Sequence, residues 1–229
     1  AFIADKVPYL RNCHATIIAN IYGHSPEDYA ELARRIQAEN AAEAIEANLS
    51  CPNVHDARNR KGAALVAQDP DKVALYTRAI RSATTLPLFI KLTPNVADIC
   101  EPAIAAQESG ADAVSLVNTL MGMAIDPDTR RPRLANIVGG LSGPAIRPVA
   151  VKMVWDAARV LKIPVIGMGG ICDALDAVQF FVAGATAVAV GSVSFRNPLA
   201  AIEIVEGIAR YLDQYRLTCI RELTGALGF

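Results

Sequence analysis

Short apolar runs alternate with longer stretches of helical periodicity along the chain. Residues 15–20, 44–49, 86–92, 113–118, 163–168 and 185–190 are apolar nearly throughout rather than at every second position. Such runs predict strands covered on both faces. The stretches between them carry helix punctuation. Ser25-Pro26 and Asp69-Pro70 each place a capping side chain before a proline, whose fixed φ suits the first helical position and whose missing N–H is not needed there. One helix therefore starts at residue 26 and runs to about 39, with Tyr29, Leu32 and Ile36 at helical spacing, and the next opens at Asp69. Further helices are predicted over 99–109, stopped by Gly110, and over about 144–161, 173–183 and 199–213. The long segment 119–143 receives no element.

Six strand–helix units in succession predict a parallel sheet covered by helices. The spacing suits an α/β fold of the (β/α)8 TIM-barrel kind, which takes eight units and about 250 residues. This chain has 229 residues and about six of the eight units. An open doubly wound sheet is the other arrangement that six units allow. The barrel is the favoured reading, with an amino-terminal part lying before residue 1, as the non-methionine start also implies. No linker or low-complexity tract divides residues 1–229, which read as a single domain.

Composition narrows the function. Lys plus Arg is 22 and Asp plus Glu is 23, a net charge of -1, which provides no electrostatic reason for nucleic acid or an anionic membrane as partner. No apolar run approaches the roughly 20 residues that span a bilayer. The five cysteines are widely spaced and form no Cys-x-x-Cys pair, so no metal or iron–sulfur site is expected from this chain alone. A reduced, cytoplasmic setting is the expectation.

In a barrel, chemistry sits at the carboxyl ends of the strands. Those ends carry Asn20, Asn48 with Ser50-Cys51-Pro52-Asn53, Lys91, Asn118-Thr119, Gly169-Gly170 and Gly191-Ser192. Apart from Glu46, inside a strand, they hold no carboxylate, which disfavours glycosidase chemistry and carboxylate metal sites. The glycine pairs, with Gly143 before a helix, suit a phosphate cradled by backbone N–H groups; they could equally be tight turns. Lys91 suits an anion or a ring that gains negative charge on reduction, or it snorkels out at the rim. Cys51 is either a reactive thiol or a buried filler, and Asn48 and Asn53 beside it offer donors and acceptors to an amide-rich ligand. The loop 54–68 has the length of a lid, though a solvated loop would look the same. Cys13-His14 precede a strand and so belong to the opposite rim. His24 follows a strand at the catalytic rim, where a solvated histidine is the commoner case.

Taken together, Asn48-Leu49-Ser50-Cys51-Pro52-Asn53-Val54, Lys91-Leu92-Thr93-Pro94-Asn95-Val96, Asn118-Thr119-Leu120-Met121-Gly122, Gly139-Gly140-Leu141-Ser142-Gly143-Pro144, Ile166-Gly167-Met168-Gly169-Gly170 and Gly191-Ser192 resemble the class 1 dihydroorotate dehydrogenases. The stretch 118–148 is most similar to class 1B, the NAD-linked subgroup. The resemblance implies a (β/α)8 barrel with FMN at its carboxyl rim, oxidising dihydroorotate to orotate in pyrimidine biosynthesis. It implies Cys51 as the base that takes the C5 proton. Asn48, Asn53, Asn118 and Thr119 would bind substrate. Asn20, Asn48, Lys91, Val117, Gly143, Gly169, Gly170, Gly191 and Ser192 would contact FMN. It further implies a homodimer and a partner subunit carrying FAD and an iron–sulfur cluster that passes electrons to NAD. Roughly 80 further residues would precede this chain in the family, bringing two strands, a lysine and a substrate loop. The loop 54–68 and Gln68-Asp69-Pro70 also resemble the pyrimidine-reducing domain of dihydropyrimidine dehydrogenase, which acts on uracil and thymine. A flavin-binding protein without catalysis is the third possibility.

Overall fold

Local signals start and stop most of the elements. In the computed structural model, which describes residues 2–50 and 66–228, the chain opens with a helical turn at Phe2–Lys6 and α1 (Val7–Asn12), neither of which the periodicity predicts. Then β1 (Ile18–Ile21) leads into α2 (Pro26–Ala38), whose cap Ser25 accepts from the Asp28 N–H. β2 (Ala44–Asn48) follows, and α3 (Pro70–Arg81) is capped by Asp69, which accepts from the N–H groups of Asp71 and Lys72. After β3 (Leu88–Lys91) comes α4 (Cys100–Glu108), ended by Gly110 at φ +98°.

β4 (Ala113–Leu116) is followed by the segment without a predicted element, and there the structure adds one. β5 (Leu120–Met123), β6 (Ile125–Asp126), β7 (Arg131–Pro132) and β8 (Val138–Leu141) form an arm of two nested antiparallel pairs, β5 with β8 and β6 with β7. Asp126 Oδ1 accepts from the N–H groups of Asp128 and Thr129 at 3.0 Å and turns the tip. The chain then runs through α5 (Arg147–Val160), β9 (Val165–Met168), α6 (Ala174–Ala183, capped by Asp173), β10 (Ala187–Ala189) and α7 (Ala200–Gln214).

The six parallel strands pair in chain order, β1-β2-β3-β4-β9-β10. A doubly wound sheet reverses its order at a switch point; this sheet does not, which supports the barrel and removes the alternative. The helices likewise neighbour one another in sequence, from α2 to α7. Register sorts the strand residues into two faces. Ile45, Leu88, Ile90, Val114 and Leu116 are fully buried on the helix side. Gly167 lies on the same side, where an added Cβ would stand 2.6 Å from Phe180 of α6. The other face carries Asn20, Glu46, Asn48 and Lys91, which align across β1, β2 and β3. No helix among the described residues is long and apolar enough to cross a membrane.

Candidate active site at the carboxyl rim

The rim is built outward from β2. Tyr29 of α2, 1% exposed, donates its hydroxyl to the Asn48 carbonyl at 2.6 Å and pins the end of the strand. Asn48 Oδ1 then accepts from the Ser50 hydroxyl at 2.9 Å and the Ser50 N–H at 3.2 Å. From β4's side, Asn118 Nδ2 donates to the Ser50 hydroxyl at 2.8 Å, to the Ser50 carbonyl at 3.0 Å and to Asn48 Oδ1 at 3.4 Å. Asn118 Oδ1 accepts from the Thr119 N–H at 2.8 Å. Carboxamides from the ends of β2 and β4 are thus locked through Ser50, which the sequence places at the strand end without assigning it a role. Ser50 is short, polar and buried at 1% exposure, and buried polar groups carry partners.

A cavity of about 300 Å³ opens beside this network. Its walls bring together Lys91, Val117, Asn118, Thr119, Gly143, Gly169, Gly170, Gly191 and Ser192, all expected at one site. Glu46 also lines it, and Lys91 and Glu46 are the only charged side chains in its described wall. Lys91 Nζ stands 3.8 Å from Glu46 Oε2, and Asn20 Nδ2 donates to that same oxygen at 2.5 Å. Asn20 itself lines a larger apolar groove of about 590 Å³ along β1, with Ile18, Tyr22 and Ile36. That groove holds none of the other expected site residues that the structure describes, so the smaller cavity is the candidate site and Asn20 reaches it through Glu46. Cys51, Asn53 and the stretch 54–65 of the proposed lid lie outside the described residues.

Three glycines of the wall occupy conformations that side chains resist: Gly143 at φ +88°, Gly169 at +124° and Gly170 at +78°. A Cβ on Gly170 would stand 2.7 Å from the Gly143 carbonyl oxygen. By contrast, a Cβ on Gly143 or Gly191 would meet nothing within 4 Å among the described residues, so these two leave open space where a ligand's polar group can approach the backbone. Arg147 braces the turn from behind. It pairs with Asp176 and sits 3.5 Å from the Gly170 carbonyl, while Asp176 Oδ2 accepts from the Cys172 N–H at 2.9 Å. Asp176 is buried, and Arg147 gives it the partner that a buried charge requires.

Thr119 completes the wall. Its carbonyl accepts from Asn95 Nδ2 at 3.0 Å, and its hydroxyl is buried with no hydrogen-bond partner among the described residues. Cys100, at the start of α4, is pushed up to about 11 by burial and by its hydrogen bond to Asp98, so it stays protonated at neutral pH. Cys13 and Cys219 are exposed. His24 is engaged by neighbours: its ring meets Tyr22 edge-on at 5.3 Å and its backbone N–H donates to Asp28 Oδ2 at 2.9 Å.

A sequentially wound parallel sheet with helices outside and a lysine, carboxamides and glycine turns around one rim cavity places the chain among the β/α-barrel proteins, with its candidate site at the carboxyl end of the strands. Within that class, the chain belongs to the dihydroorotate dehydrogenase family, whose profile matches residues 3–212. It is 52% identical over 227 residues to the catalytic subunit of dihydroorotate dehydrogenase B (NAD(+)) from Trichlorobacter lovleyi, covering 99% of this chain and 73% of that protein. The corresponding subunit from Caldicellulosiruptor bescii is 46% identical over 228 residues, covering 74% of its length. In fold, the chain is similar to the dihydroorotate dehydrogenase of Eimeria tenella solved in complex with ferulenol, with a TM-score of 0.73 at 24% identity. That match covers 90% of this chain, which spans 60% of the solved one.

Proposed function

We propose that this chain is the FMN-binding catalytic domain of an NAD-linked dihydroorotate dehydrogenase, oxidising dihydroorotate to orotate in pyrimidine biosynthesis. One observation carries the reading. Lys91, Asn118, Thr119 and the glycine turns converge on one cavity in a chain 52% identical to a subunit named for that activity. The wall suits FMN chemically. The open backbone at Gly143 and Gly191, with the turn at Gly169-Gly170, suits a phosphate, which exposed N–H groups bind well. The Lys91 ammonium suits a ring that becomes negative on reduction.

When bound, FMN supplies the acceptor for the hydride leaving C6 of dihydroorotate. The chain's own residues do the rest. Asn48 and Asn118, locked through Ser50, and the Thr119 hydroxyl orient the substrate ring by its amide edges, with Asn53 as a further donor. The Cys51 sulfur takes the proton from C5. A thiol acts as a base only where its proton affinity is tuned and water is excluded. A partner subunit carrying FAD and an iron–sulfur cluster would supply the route for electrons to NAD. The cytoplasm is the proposed location.

The test is anaerobic. The purified protein should be yellow, and dihydroorotate should bleach it while dihydrouracil should not. Cys51→Ser should keep its FMN and be reduced more slowly by roughly 10²–10⁴-fold. A yellow protein bleached by dihydrouracil alone would move the substrate to uracil-type pyrimidines. Unchanged reduction in Cys51→Ser would remove the cysteine from its role.

A further inference from the structure

Glu46 is out of keeping with the rest of the cavity. A site for a phosphate-bearing ligand gains nothing from a carboxylate in its wall, and a half-buried carboxylate costs stability unless it is paired. Strand geometry puts it there. Glu46 is two residues before Asn48 and shares its inward face; it is in register with Asn20 on β1, and Asn48 is in register with Lys91 on β3. Lys91 therefore stands diagonally across from Glu46. Asn20 Nδ2 holds Glu46 Oε2 at 2.5 Å, and that oxygen holds Lys91 Nζ at 3.8 Å. A direct charge-assisted hydrogen bond would be roughly 2.7–2.9 Å. The ammonium is thus drawn to one wall of the cavity without its donors being used up.

We propose that Glu46 is a positioning residue for the flavin: it holds Lys91 at the cavity wall and offsets part of its charge, so that bound FMN is harder to reduce than Lys91 alone would make it. The inference rests on the reading that FMN occupies this cavity. Glu46→Gln is nearly isosteric and keeps an oxygen to accept from Asn20 while removing the charge. Glu46→Asp keeps the charge.

The measurement is the two-electron midpoint potential of FMN in the loaded protein, by equilibration with a reference dye, in wild type and both variants. Glu46→Gln should favour the reduced flavin about tenfold, a rise of roughly 30 mV for a two-electron couple. Glu46→Asp should stay within a third of that shift. An unchanged potential in Glu46→Gln would overturn the proposal, and so would an equal rise in both variants, which would reflect packing rather than charge. Loss of FMN or of folding in Glu46→Gln, followed by flavin absorbance and circular dichroism, would also overturn it. Removing a negative charge should not weaken a site for an anion. A wild-type protein that binds no FMN would instead overturn the FMN reading itself.

Discussion

Asn95 shows how much one side chain off the strand ends can organise. Its Nδ2 donates to Thr93 Oγ1 at 2.8 Å and to the Thr119 carbonyl at 3.0 Å. Its Oδ1 accepts from the Met121 N–H at 2.9 Å, and its own carbonyl accepts from Gln68 at 2.6 Å. Through these bonds it ties β3's exit to the start of the arm, which places Asn118 and Thr119 at the cavity. Asn95→Ala removes these bonds from the part-buried Thr119 carbonyl and the exposed Met121 N–H, a cost of about 1 kcal/mol readable by urea unfolding. FMN should stay bound, and the KM for dihydroorotate should rise at least severalfold, because Thr119 loses its support. The motif around Lys91 made Asn95 visible in the sequence, but nothing local revealed its role, since its partners other than Thr93 lie 24 to 27 residues away. Glu46 was hidden for a different reason. It lies inside an apolar run, where one polar residue reads as an interruption unless the inward face is known.

At the scale of elements, the capped helix starts and the glycine stops were legible because a few adjacent residues set them. Ser25, Asp69 and Asp173 each accept the backbone N–H that their position calls for. The arm was not legible, since Leu120–Met123 finds its partner only at Val138–Leu141 and has no β-branched residue of its own. The glycine turns separate conformation from space, and two substitutions test this. Gly170→Ala is strained at φ +78° and meets the Gly143 carbonyl; it should cost about 1–3 kcal/mol and also weaken FMN binding. Gly191→Ala has a φ of −117° and no neighbour within 4 Å among the described residues. Its thermal unfolding should change little, within about 0.5 kcal/mol, while FMN affinity should fall because the methyl enters the cavity. Equal effects of the two on stability would contradict this division.

At the scale of the molecule, the arm is an apolar projection: Met121, Met123, Ile125, Ile137 and Leu141 are each 43–57% exposed. Clustered apolar surface of this kind marks an interaction site. The family resemblance implies a homodimer, and this arm is the surface expected to support it. Met123→Lys combined with Ile125→Lys should shift the protein toward the monomer in sedimentation experiments and leave its flavin spectrum unchanged. An unchanged oligomer would place the interface elsewhere. What the sequence by itself determined was the set of six strands, the helix caps and the residues at the strand ends. Each of these is written in the spacing of neighbours a few positions apart, which is the range over which backbone periodicity acts. Only the tertiary structure decided the sequential order of the sheet, the turning of Glu46 toward Lys91, the bracing of Gly170 by Arg147 and Asp176, and the lock between Asn48 and Asn118. Those contacts join residues up to 70 positions apart. Chain distance leaves no periodic trace of such pairs; they meet because packing the apolar faces of six strand–helix units brings every strand end to one rim.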